Sequence, residues 1–407
     1  MRELDSKKSA LTASNKVCVV LPLSSPDNSG SIADWYLKKI CGIPFLIRNI
    51  LNIQRAGIDS LIIYSGTENT SLYKRLCDEK KITAKLTFET NIRKIKQATE
   101  NHPTLILNGE ALYTKQEIES GMIFTKQCDK SLAHPIDREN MTETISQMSL
   151  GKKISFAQSS DYHESRINFL PGKIDSQITK PGDFFIQHEK LLRNSGLGND
   201  SFMDKTITRF FSRQLTRLFL KTPLSPNAIT ILSLLIGLIS AAFFLQGDYK
   251  NNILGAGLLL FSAWIDCTDG EVARLKFSES KIGSKLDIIC DNLVHFAVFF
   301  SIGMGLYQSA GKKYFLFLGT LAVFGSLVSF LILSLSIINQ KEMASANTAY
   351  SKNKLTDKLA NRDFIYFLFF MSLLGRVDIF ICLAAFGANI FAAYLTFSKV
   401  KSALRSK

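Results

Sequence analysis

The sequence predicts two structural classes within one chain: an α/β domain with a mostly parallel sheet, followed by an all-α membrane domain of six helices. Residues 1–200 mix charged and apolar residues as soluble domains do, whereas residues 227–398 contain several apolar runs of membrane-spanning length. The chain has 407 residues, more than the about 250–300 at which a single hydrophobic core stops growing. We therefore expect separate soluble and membrane domains.

Short apolar strands alternate with helices in the first part of the chain. We predict strands at Val17–Leu23, Leu61–Tyr64, Ile82–Phe88 and Thr104–Leu107, and helices at Pro44–Ala56 and Ser71–Glu79. This alternation favours a mostly parallel sheet. The first apolar run is too short for a secretory signal and contains Pro22, so residues 1–200 are predicted to stay in the cytoplasm.

The second half of the chain contains apolar stretches at Ile229–Leu245, Ile253–Ile265, Leu286–Tyr307, Tyr314–Ile338 and Phe364–Phe397. About 20 helical residues cross the hydrocarbon core of a bilayer, so the last stretch is too long for one span. We expect it to fold back at residues 375–378, which gives six helices. An even number places both termini on one side, predicted to be the cytoplasmic face of an inner membrane if the chain is prokaryotic.

The distribution of positive charge supports this topology. The formal net charge of +14 would suit a nucleic-acid partner, but the cations lie next to the apolar runs. Thirteen lysines and arginines fall on the side predicted to be cytoplasmic and four on the other, as the positive-inside rule expects. The thirteen are Arg274, Lys276, Lys281, Lys285, Lys341, Lys352, Lys354, Lys358, Arg362, Lys399, Lys401, Arg405 and Lys407. We therefore expect membrane lipids, and no nucleic acid, as partners.

Residues 201–222 predict an amphipathic helix that joins the domain at 1–200 to the membrane domain at 223–407. A cation recurs at every fourth position, and apolar residues fill much of the other side; the cations are Lys205, Arg209, Arg213, Arg217 and Lys221. This pattern is typical of a helix in the cytoplasmic membrane interface with its cations toward lipid phosphates. The alternative is a solvated linker helix packed on the soluble domain.

Four aspartates follow the second apolar stretch at helical spacing. Asp266 and Asp269 are three residues apart at the end of one helix, and Asp287 and Asp291 are four apart at the start of the next. Two adjacent helices can therefore aim four carboxylates into one space, where divalent cations such as Mg²⁺ or Mn²⁺ would offset their repulsion. Two metals suit displacement at phosphorus, with Asp291 as general base. The alternative is a capping and salt-bridge cluster.

Smaller and basic residues complete the pattern. Gly270 and Ala273 keep the helix surface low enough for a nucleotide to approach, and Arg274 supplies a cationic fork for phosphate oxygens. The pattern DxxDGxxARx8Gx3Dx3D is matched in full, and it resembles the signature of the CDP-alcohol phosphotransferase family. The matching residues are Asp266, Asp269, Gly270, Ala273, Arg274, Gly283, Asp287 and Asp291.

This resemblance implies a membrane enzyme, usually dimeric, that transfers a substituted phosphate from a CDP-alcohol to an acceptor alcohol and releases CMP. It implies that the four aspartates hold two metals and that Gly270, Ala273, Arg274 and Gly283 contact CDP. It also suggests CDP contacts for Asn227, Thr230 and Ser280, although Asn227 would serve equally as a helix cap after Pro226. His295 is either a partner of Asp291 or a packed core residue.

Two questions of function stay open at this point. The donor is either CDP-diacylglycerol, for phospholipid synthesis, or a soluble CDP-polyol, and the acceptor has no readable signature. A rival hypothesis from another class is a membrane transporter or scaffold whose acids form an ion pathway. That rival predicts acids spread over several helices, whereas four are concentrated here.

The soluble half resembles sugar-phosphate nucleotidyltransferases, through the helix run from Gly42 to Ile58 and the closing segment that begins at Pro181. A glycine-rich basic loop is missing after the first strand, where the chain reads Pro22 to Gly30. Glu110 replaces an expected metal-binding aspartate, and the second acid is replaced near Gln177. We therefore predict a noncatalytic domain. The two halves together resemble bifunctional inositol-phosphate cytidylyltransferase and di-myo-inositol-phosphate phosphate synthases, so the alternative is a domain that makes the CDP-alcohol.

Overall fold

The computed structural model describes residues 17–24, 31–100, 102–123, 133–152, 167–196, 203–343 and 363–405. The chain divides into two compact units, Met1–Leu191 and Leu192–Lys407. Some predictions lie outside the described residues. They concern the missing phosphate loop from Ser25 to Gly30 and the cytoplasmic cations Lys352, Lys354, Lys358, Arg362 and Lys407.

The described part of the first unit contains a six-stranded sheet with the order β5-β4-β1-β6-β8-β7 and a separate β2–β3 hairpin. The strands are β1 Cys18–Leu23, β2 Lys39–Ile40, β3 Ile43–Pro44, β4 Ser60–Ser65, β5 Lys85–Glu89, β6 Thr104–Leu107, β7 His134–Pro135 and β8 Ile167–Leu170. Every pair in the large sheet is parallel except β7 with β8. The mostly parallel sheet predicted from the alternation of strands and helices is confirmed.

Helices connect these strands and cover the sheet. They are α1 Ile32–Tyr36, α2 Phe45–Arg55, α3 Thr70–Cys77, α4 Ile92–Ala98, α5 Lys115–Gly121, α6 Met141–Ser149 and α7 Asp183–Arg193. The central strand β1 is buried along its whole length, because helices lie on both faces of a parallel sheet; its sequence is therefore continuously apolar instead of alternating. On α2, Phe45, Leu46, Ile47, Ile50 and Ile53 are all fully buried.

The order of the strands reverses beside β1. From β1 the chain moves outward to β4 and β5, and it then crosses to the other side of β1 to form β6 and β8. In open parallel sheets, the carboxyl ends of the two strands at such a reversal form the crevice where ligands bind. In this unit that position lies at the ends of β1 and β6, next to Ser24 and Glu110.

The second unit is helical in its described residues. A π-helical turn at Asp204–Thr208 leads into α8 Arg209–Leu220, followed by α9 Pro226–Phe244, α10 Tyr249–Leu275, α11 Lys281–Ala310, α12 Tyr314–Met343, α13 Asp363–Leu373 and α14 Val377–Arg405. Among these described residues, five helices are long and apolar enough to cross a membrane, namely α9, α10, α11, α12 and α14. The helix α13 is apolar but shorter.

Capping residues define where the long helices begin and end. Ser225, Asp248 and Ser280 accept hydrogen bonds from backbone N–H groups in the first turns of α9, α10 and α11, which satisfies donors that the helices leave unpaired. Gly311 ends α11 with φ +69°. The predicted fold-back is also present, because α13 ends at Leu373, Gly375 takes φ +64° and α14 begins at Val377.

Glycines allow the membrane helices to approach closely. A Cβ atom on Gly305 of α11 would lie 2.1 Å from the backbone oxygen of Phe244 at the end of α9, and a Cβ on Gly247 would lie 2.1 Å from the oxygen of Gly305. Gly303 faces Gly319 of α12 in the same way, at 2.8 Å from its Cα. Backbone atoms cannot move aside as flexible side chains do. These positions therefore fix the distance between α11 and its two neighbours.

The prediction for residues 201–222 is wrong at one cation. Lys205 and Lys221 are exposed, but Arg209 is only 8% exposed and forms an ion pair with Glu271 of α10 at 2.6 Å. The regular spacing of the cations hid the difference, because a fourth-residue repeat drifts around a helix of 3.6 residues per turn. Arg209 therefore faces the helical unit and not the lipid phosphates.

Replacing Gly305 by Ala is expected to destabilise the membrane unit, because the new methyl group overlaps the backbone at Phe244. Overpacking of this kind costs about 1–3 kcal/mol. We expect a lower unfolding temperature for Gly305→Ala in detergent, followed by tryptophan fluorescence. Gly387→Ala on α14 is the matched control, since nothing lies within 4 Å of its Cβ position. Equal unfolding temperatures for the two variants would contradict the packing described here.

Candidate functional site

Three of the four aspartates form a compact group. Carboxylate oxygens of Asp266, Asp269 and Asp287 all lie within 4.8 Å of one another; we call these three residues the carboxylate cluster. Asp266 and Asp269 are 5% and 7% exposed, and Asp287 is half-buried. Buried like charges at this separation repel strongly unless protons or cations compensate them. The cluster is thus a place where positive charge is favoured.

A short turn between α10 and α11 brings the cluster together. The five residues from Lys276 to Ser280 reverse the chain, so the last turns of α10 face the first turns of α11. Ser278 N–H donates to the carbonyl of Ala273 at 2.9 Å, and Phe277 adopts φ +52°, a conformation that costs energy for a bulky residue. Ser280 then caps α11 by accepting from Gly283 N–H at 2.9 Å. The prediction that two adjacent helices aim their carboxylates into one space is correct for these three aspartates.

Hydroxyl groups from α9 hold two of the carboxylates. Thr230 donates to Asp269 Oδ2, and Ser233 lies 3.4 Å from Asp266 Oδ1. The shorter contact of the Ser233 hydroxyl is its hydrogen bond to the Thr230 carbonyl, to which it donates at 2.8 Å, and Ser262 donates to the Ser233 carbonyl at 2.7 Å. Sequence reasoning assigned Thr230 to CDP, and the structure brings it to a carboxylate of the cluster. A neutral hydroxyl orients a carboxylate without cancelling its charge.

The fourth aspartate, Asp291, lies outside the carboxylate cluster. It lines a small pocket between the helices together with Asp266, Ser233, Ser262 and His295. The ring of His295 also meets Phe364 edge to face, with ring centroids 5.1 Å apart. The ring of His295 therefore packs on an aromatic residue and also borders the pocket that Asp291 lines, and its pairing with Asp291 stays a prediction.

Three residues assigned to CDP meet at the start of α11. A Cβ atom on Gly283 would lie 2.9 Å from Asn227 Oδ1 and 2.9 Å from Ser280 Oγ. The capping alternative for Asn227 is wrong, because Ser225 is the cap of α9 and accepts from Ala228 N–H. The side chain of Asn227 instead reaches across to the next pair of helices. A side chain at Gly283 would therefore require one or both of these polar side chains to move.

Arg274, the basic residue of the motif, contacts the backbone near the end of α7. Arg274 is half-buried and donates from Nε to the carbonyl of Ser195 at 2.8 Å. A Cβ on Gly270 would lie 3.2 Å from Arg274 Nη1, so the missing side chain at Gly270 leaves room for the guanidinium group. Ala273, one turn after Gly270, is half-buried. Gly270, Ala273 and Arg274 thus form one patch on the last turns of α10.

Sequence reasoning missed one buried acid inside the motif. Glu271 is fully buried and accepts hydrogen bonds from Arg209, Ser212 and Thr216 on α8. A signal was available, because these three donors are spaced i, i+3 and i+7 and so share one face of their helix. Glu271 occupies a variable position of the motif, which is why it was passed over.

The donor set of the carboxylate cluster fits a divalent metal. Its atoms are carboxylate oxygens, which are hard ligands preferred by Mg²⁺ and Mn²⁺. The nearby hydroxyls of Thr230 and Ser233 are of the kind that orient ligating carboxylates. The geometry of the three carboxylates and the chemistry of their oxygens are thus both suited to binding a divalent cation.

The first unit has a second polar group, at the reversal of its strand order. Ser24 donates to Glu110 Oε1 at 3.0 Å, and Tyr36 OH accepts from Ser24 N–H at 3.1 Å. Burial raises the pKa of Tyr36 to about 12, so its hydroxyl keeps its proton at neutral pH. Gln177 pairs with Ala111 beside Glu110. Glu110 and Gln177, the two positions at which the sequence resemblance leads us to expect acids, therefore lie on adjoining segments.

Comparison with known proteins identifies the helical half. The model of the family described as CDP-alcohol phosphatidyltransferase matches residues 223–397. A "Bifunctional IPC transferase and DIPP synthase" from Aquifex aeolicus is 33% identical over 114 residues, 28% of this chain and 25% of that protein. The protein of the same name from Archaeoglobus fulgidus is 33% identical over 166 residues, 40% of this chain and 31% of that protein. The chain thus spans only about a quarter to a third of these relatives.

Two further proteins share the region. An "Archaetidylinositol phosphate synthase" from Pyrococcus horikoshii is 36% identical over 83 residues, 20% of this chain and 42% of that protein. A crystal structure of Mycobacterium tuberculosis phosphatidylinositol phosphate synthase with CDP-DAG bound covers 46% of this chain and 92% of its own, at 18% identity and a TM-score of 0.36, too low to carry an argument. The family match and the motif agree, and residues 223–397 form a CDP-alcohol phosphatidyltransferase domain.

Proposed function

We propose that this chain transfers a substituted phosphate group from a CDP-alcohol to an acceptor alcohol and releases CMP. The observation that carries the proposal is the carboxylate cluster, three acids within 4.8 Å of one another on the motif of a CDP-alcohol phosphatidyltransferase domain. A transporter or scaffold does not require three carboxylates held this close together. A site for diphosphate and its metals does need them.

The metals are proposed to be two divalent cations, Mg²⁺ or Mn²⁺, held by Asp266, Asp269, Asp287 and Asp291. When bound, they would polarise the diphosphate and offset the negative charge of the departing CMP. Thr230 and Ser233 orient two of the ligating carboxylates through their hydroxyls.

In the transfer, the acceptor oxygen bonds to the phosphorus that carries the donor alcohol. The bond from that phosphorus to the oxygen shared with CMP breaks at the same time. Asp291 accepts the proton of the attacking hydroxyl, which its place in the pocket beside Asp266 supports.

CDP is proposed to bind over the start of α11 and the end of α10. Asn227, Ser280 and Gly283 converge there, with Gly270, Ala273 and Arg274 close to the cluster along α10. The side chain of Arg274 donates to Ser195 in this structure, and we infer that its remaining N–H groups turn to phosphate oxygens when the donor binds. Thr230 would assist through Asp269.

We propose a polyol or polyol phosphate as acceptor, because one of the relatives is an archaetidylinositol phosphate synthase. Those relatives are matched over only part of their length, so the proposal is limited to this class. The donor is either CDP-diacylglycerol or a soluble CDP-polyol. Either donor presents the same diphosphate to the cluster.

The membrane arrangement is proposed to have six spans, with α13 as the fifth and both termini in the cytoplasm. The break between α13 and α14 at Gly375 supports this count, as does the bias of positive charge. A homodimer formed through the membrane domain is proposed on the family resemblance. The helix at 201–222 would lie in the cytoplasmic interface, with exposed Phe210 and Leu218 toward lipid.

The soluble unit is proposed to be nucleotidyltransferase-like and noncatalytic. Ser24, Tyr36 and Glu110 contact one another at the reversal of the sheet, where a nucleotide would otherwise approach. A Cβ on Gly109 would lie 2.0 Å from the carbonyl oxygen of Pro22, so the ends of β1 and β6 are already in close contact. The bifunctional names of the relatives favour the alternative of a domain that makes the CDP-alcohol.

Replacing an aspartate of the site by Asn is expected to abolish CMP release. The purified full chain is incubated in mixed micelles with labelled CDP-diacylglycerol, or with CDP-inositol, together with Mn²⁺ and a panel of polyol phosphates. We expect CMP from the unmodified chain and at least about a 100-fold loss for Asp266→Asn, Asp287→Asn and Asp291→Asn, because ligands and base are removed.

Asp378→Asn is the matched control, since Asp378 lies at the start of α14 and pairs with Arg376. Its CMP release should equal that of the unmodified chain. The proposed function is wrong if the full chain yields no CMP with either donor and every acceptor of the panel. The role of Asp291 is wrong if Asp291→Asn turns over normally.

Arg274→Lys is expected to raise KM for the CDP-alcohol by about tenfold, with a smaller change in kcat. A lysine keeps the charge but loses the planar fork that matches phosphate oxygens. Arg376→Lys is the matched control, because that arginine pairs with Asp378 next to the turn between α13 and α14. An unchanged KM for Arg274→Lys would remove Arg274 from the CDP site.

The full chain is expected to release no pyrophosphate from CTP when a polyol phosphate and Mg²⁺ are present. The expectation follows from the contacts among Ser24, Tyr36 and Glu110, which occupy the place where the strand order reverses. It also follows from the replacement of the expected metal-binding acids at Glu110 and near Gln177. Pyrophosphate is measured by a coupled phosphate assay. CTP-dependent release that persists in Asp291→Asn would instead assign a cytidylyltransferase activity to the soluble unit.

A further inference from the structure

A buried acid on α10 has no part in the chemistry proposed above. Glu271 is 0% exposed and lies two residues after Asp269. Its Oε1 accepts from Arg209 Nη1 at 2.6 Å and from Ser212 Oγ at 2.9 Å. Its Oε2 accepts from Thr216 Oγ1 at 2.6 Å. Both carboxylate oxygens are therefore directed at a single neighbouring helix, α8.

The three donors follow the period of that helix. Arg209, Ser212 and Thr216 are spaced by three and four residues, so they form one stripe along α8. All three are buried. A charged acceptor bound by three donors in a row opposes both sliding and rotation of α8 on α10, because either motion breaks several bonds to a buried charge.

A second contact joins α8 to α10 two helical turns before Glu271. The indole of Trp264 stacks on Phe211 with ring centroids 3.9 Å apart. Trp264 Nε1 also donates to Tyr366 OH at 3.0 Å, and Tyr366 OH lies 2.8 Å from Thr208 Oγ1. Trp264 and Glu271 are seven residues apart and so lie on the same face of α10.

The aspartates lie between these two attachments, on another face of α10. Glu271 is five residues from Asp266, or about 140° around the helix, while Asp269 is closer to Asp266 in direction. A rigid helix that is attached at Trp264 and Glu271 on its back has a fixed rotation about its own axis. That rotation decides whether Asp266 and Asp269 point toward Asp287.

We propose that Glu271 is a positioning residue: its bonds to Arg209, Ser212 and Thr216 hold α8 against the back of α10 and thereby keep Asp266 and Asp269 in register with Asp287. The inference rests on the proposed function insofar as the carboxylate cluster binds metal. It adds a role for α8 that is separate from any contact with lipid, since the helix is part of the support of the active site.

The test compares Glu271→Gln with the unmodified full chain in detergent. Mn²⁺ binding is followed by electron paramagnetic resonance, and hydrogen exchange is followed in Arg209–Leu220 and 264–275. We expect Mn²⁺ affinity to fall by about tenfold or more, as for other residues that support metal ligands, with faster exchange in both segments. Arg209→Gln should behave alike, and the double variant Arg209→Gln/Glu271→Gln should recover part of the affinity, because no unpaired charge is left.

Arg213→Gln is the matched control, since Arg213 lies one turn from Arg209 and is only half-buried; it should leave affinity and exchange unchanged. If Glu271→Gln does not fold, Thr216→Val is used instead, which removes one hydrogen bond to Glu271. We expect a smaller loss of Mn²⁺ affinity and a smaller increase in hydrogen exchange for this variant. The inference is overturned if Glu271→Gln, well below its unfolding temperature, binds Mn²⁺ as the unmodified chain does. An unmodified chain that binds no Mn²⁺ would refute the metal site instead, while hydrogen exchange still reports whether Glu271 holds the two helices together.

Discussion

Repulsion among three nearby carboxylates is the constraint on which this membrane domain depends. Asp266, Asp269 and Asp287 have oxygens within 4.8 Å of one another, and two of these residues are almost fully buried. Such an arrangement is unfavourable in a folded chain unless cations or protons balance it. The surrounding structure therefore has to hold the carboxylates in place against a force that pushes them apart.

Close backbone contacts between the helices oppose this repulsion, because they leave the helices little room to move apart. The five-residue turn after α10 connects it to α11, and both helices pack on α9. The glycines at 247 and 305 then set the separation of α9 and α11 through main-chain atoms. Gly255 brings α10 close to α9 in a similar way, since a Cβ there would lie 3.1 Å from the Ser240 carbonyl oxygen. Thr230 and Ser233 reach the carboxylates of α10 from α9. Close packing and the orientation of the acids are thus one property of the fold.

Sequence reasoning succeeded where local spacing decides the outcome. Asp266, Asp269 and Asp287 could be placed together because i, i+3 positions share a face at the end of one helix and the next helix begins after a short turn. Asp291, by contrast, was predicted with them and lies outside the cluster. The break at Gly375 followed from the length of a bilayer crossing. Strand β8 was missed, since its four residues include Asn168 and are too few to show an alternation. Asn227 stayed ambiguous, because both Ser225 and Asn227 flank Pro226 and only the backbone angles of Ser225 identify it as the cap.

Glu271 shows what local spacing cannot supply. Its partners lie 55 to 62 residues earlier in the chain, and nothing in the motif connects the two segments. The buried acids on α10 thus have two kinds of hydrogen-bond partner. Glu271 receives a protein cation and serves as an attachment, whereas Asp266 and Asp269 receive hydroxyls that orient them without cancelling their charge. The first arrangement gives a permanent structural contact, and the second is compatible with the cation binding proposed for the cluster.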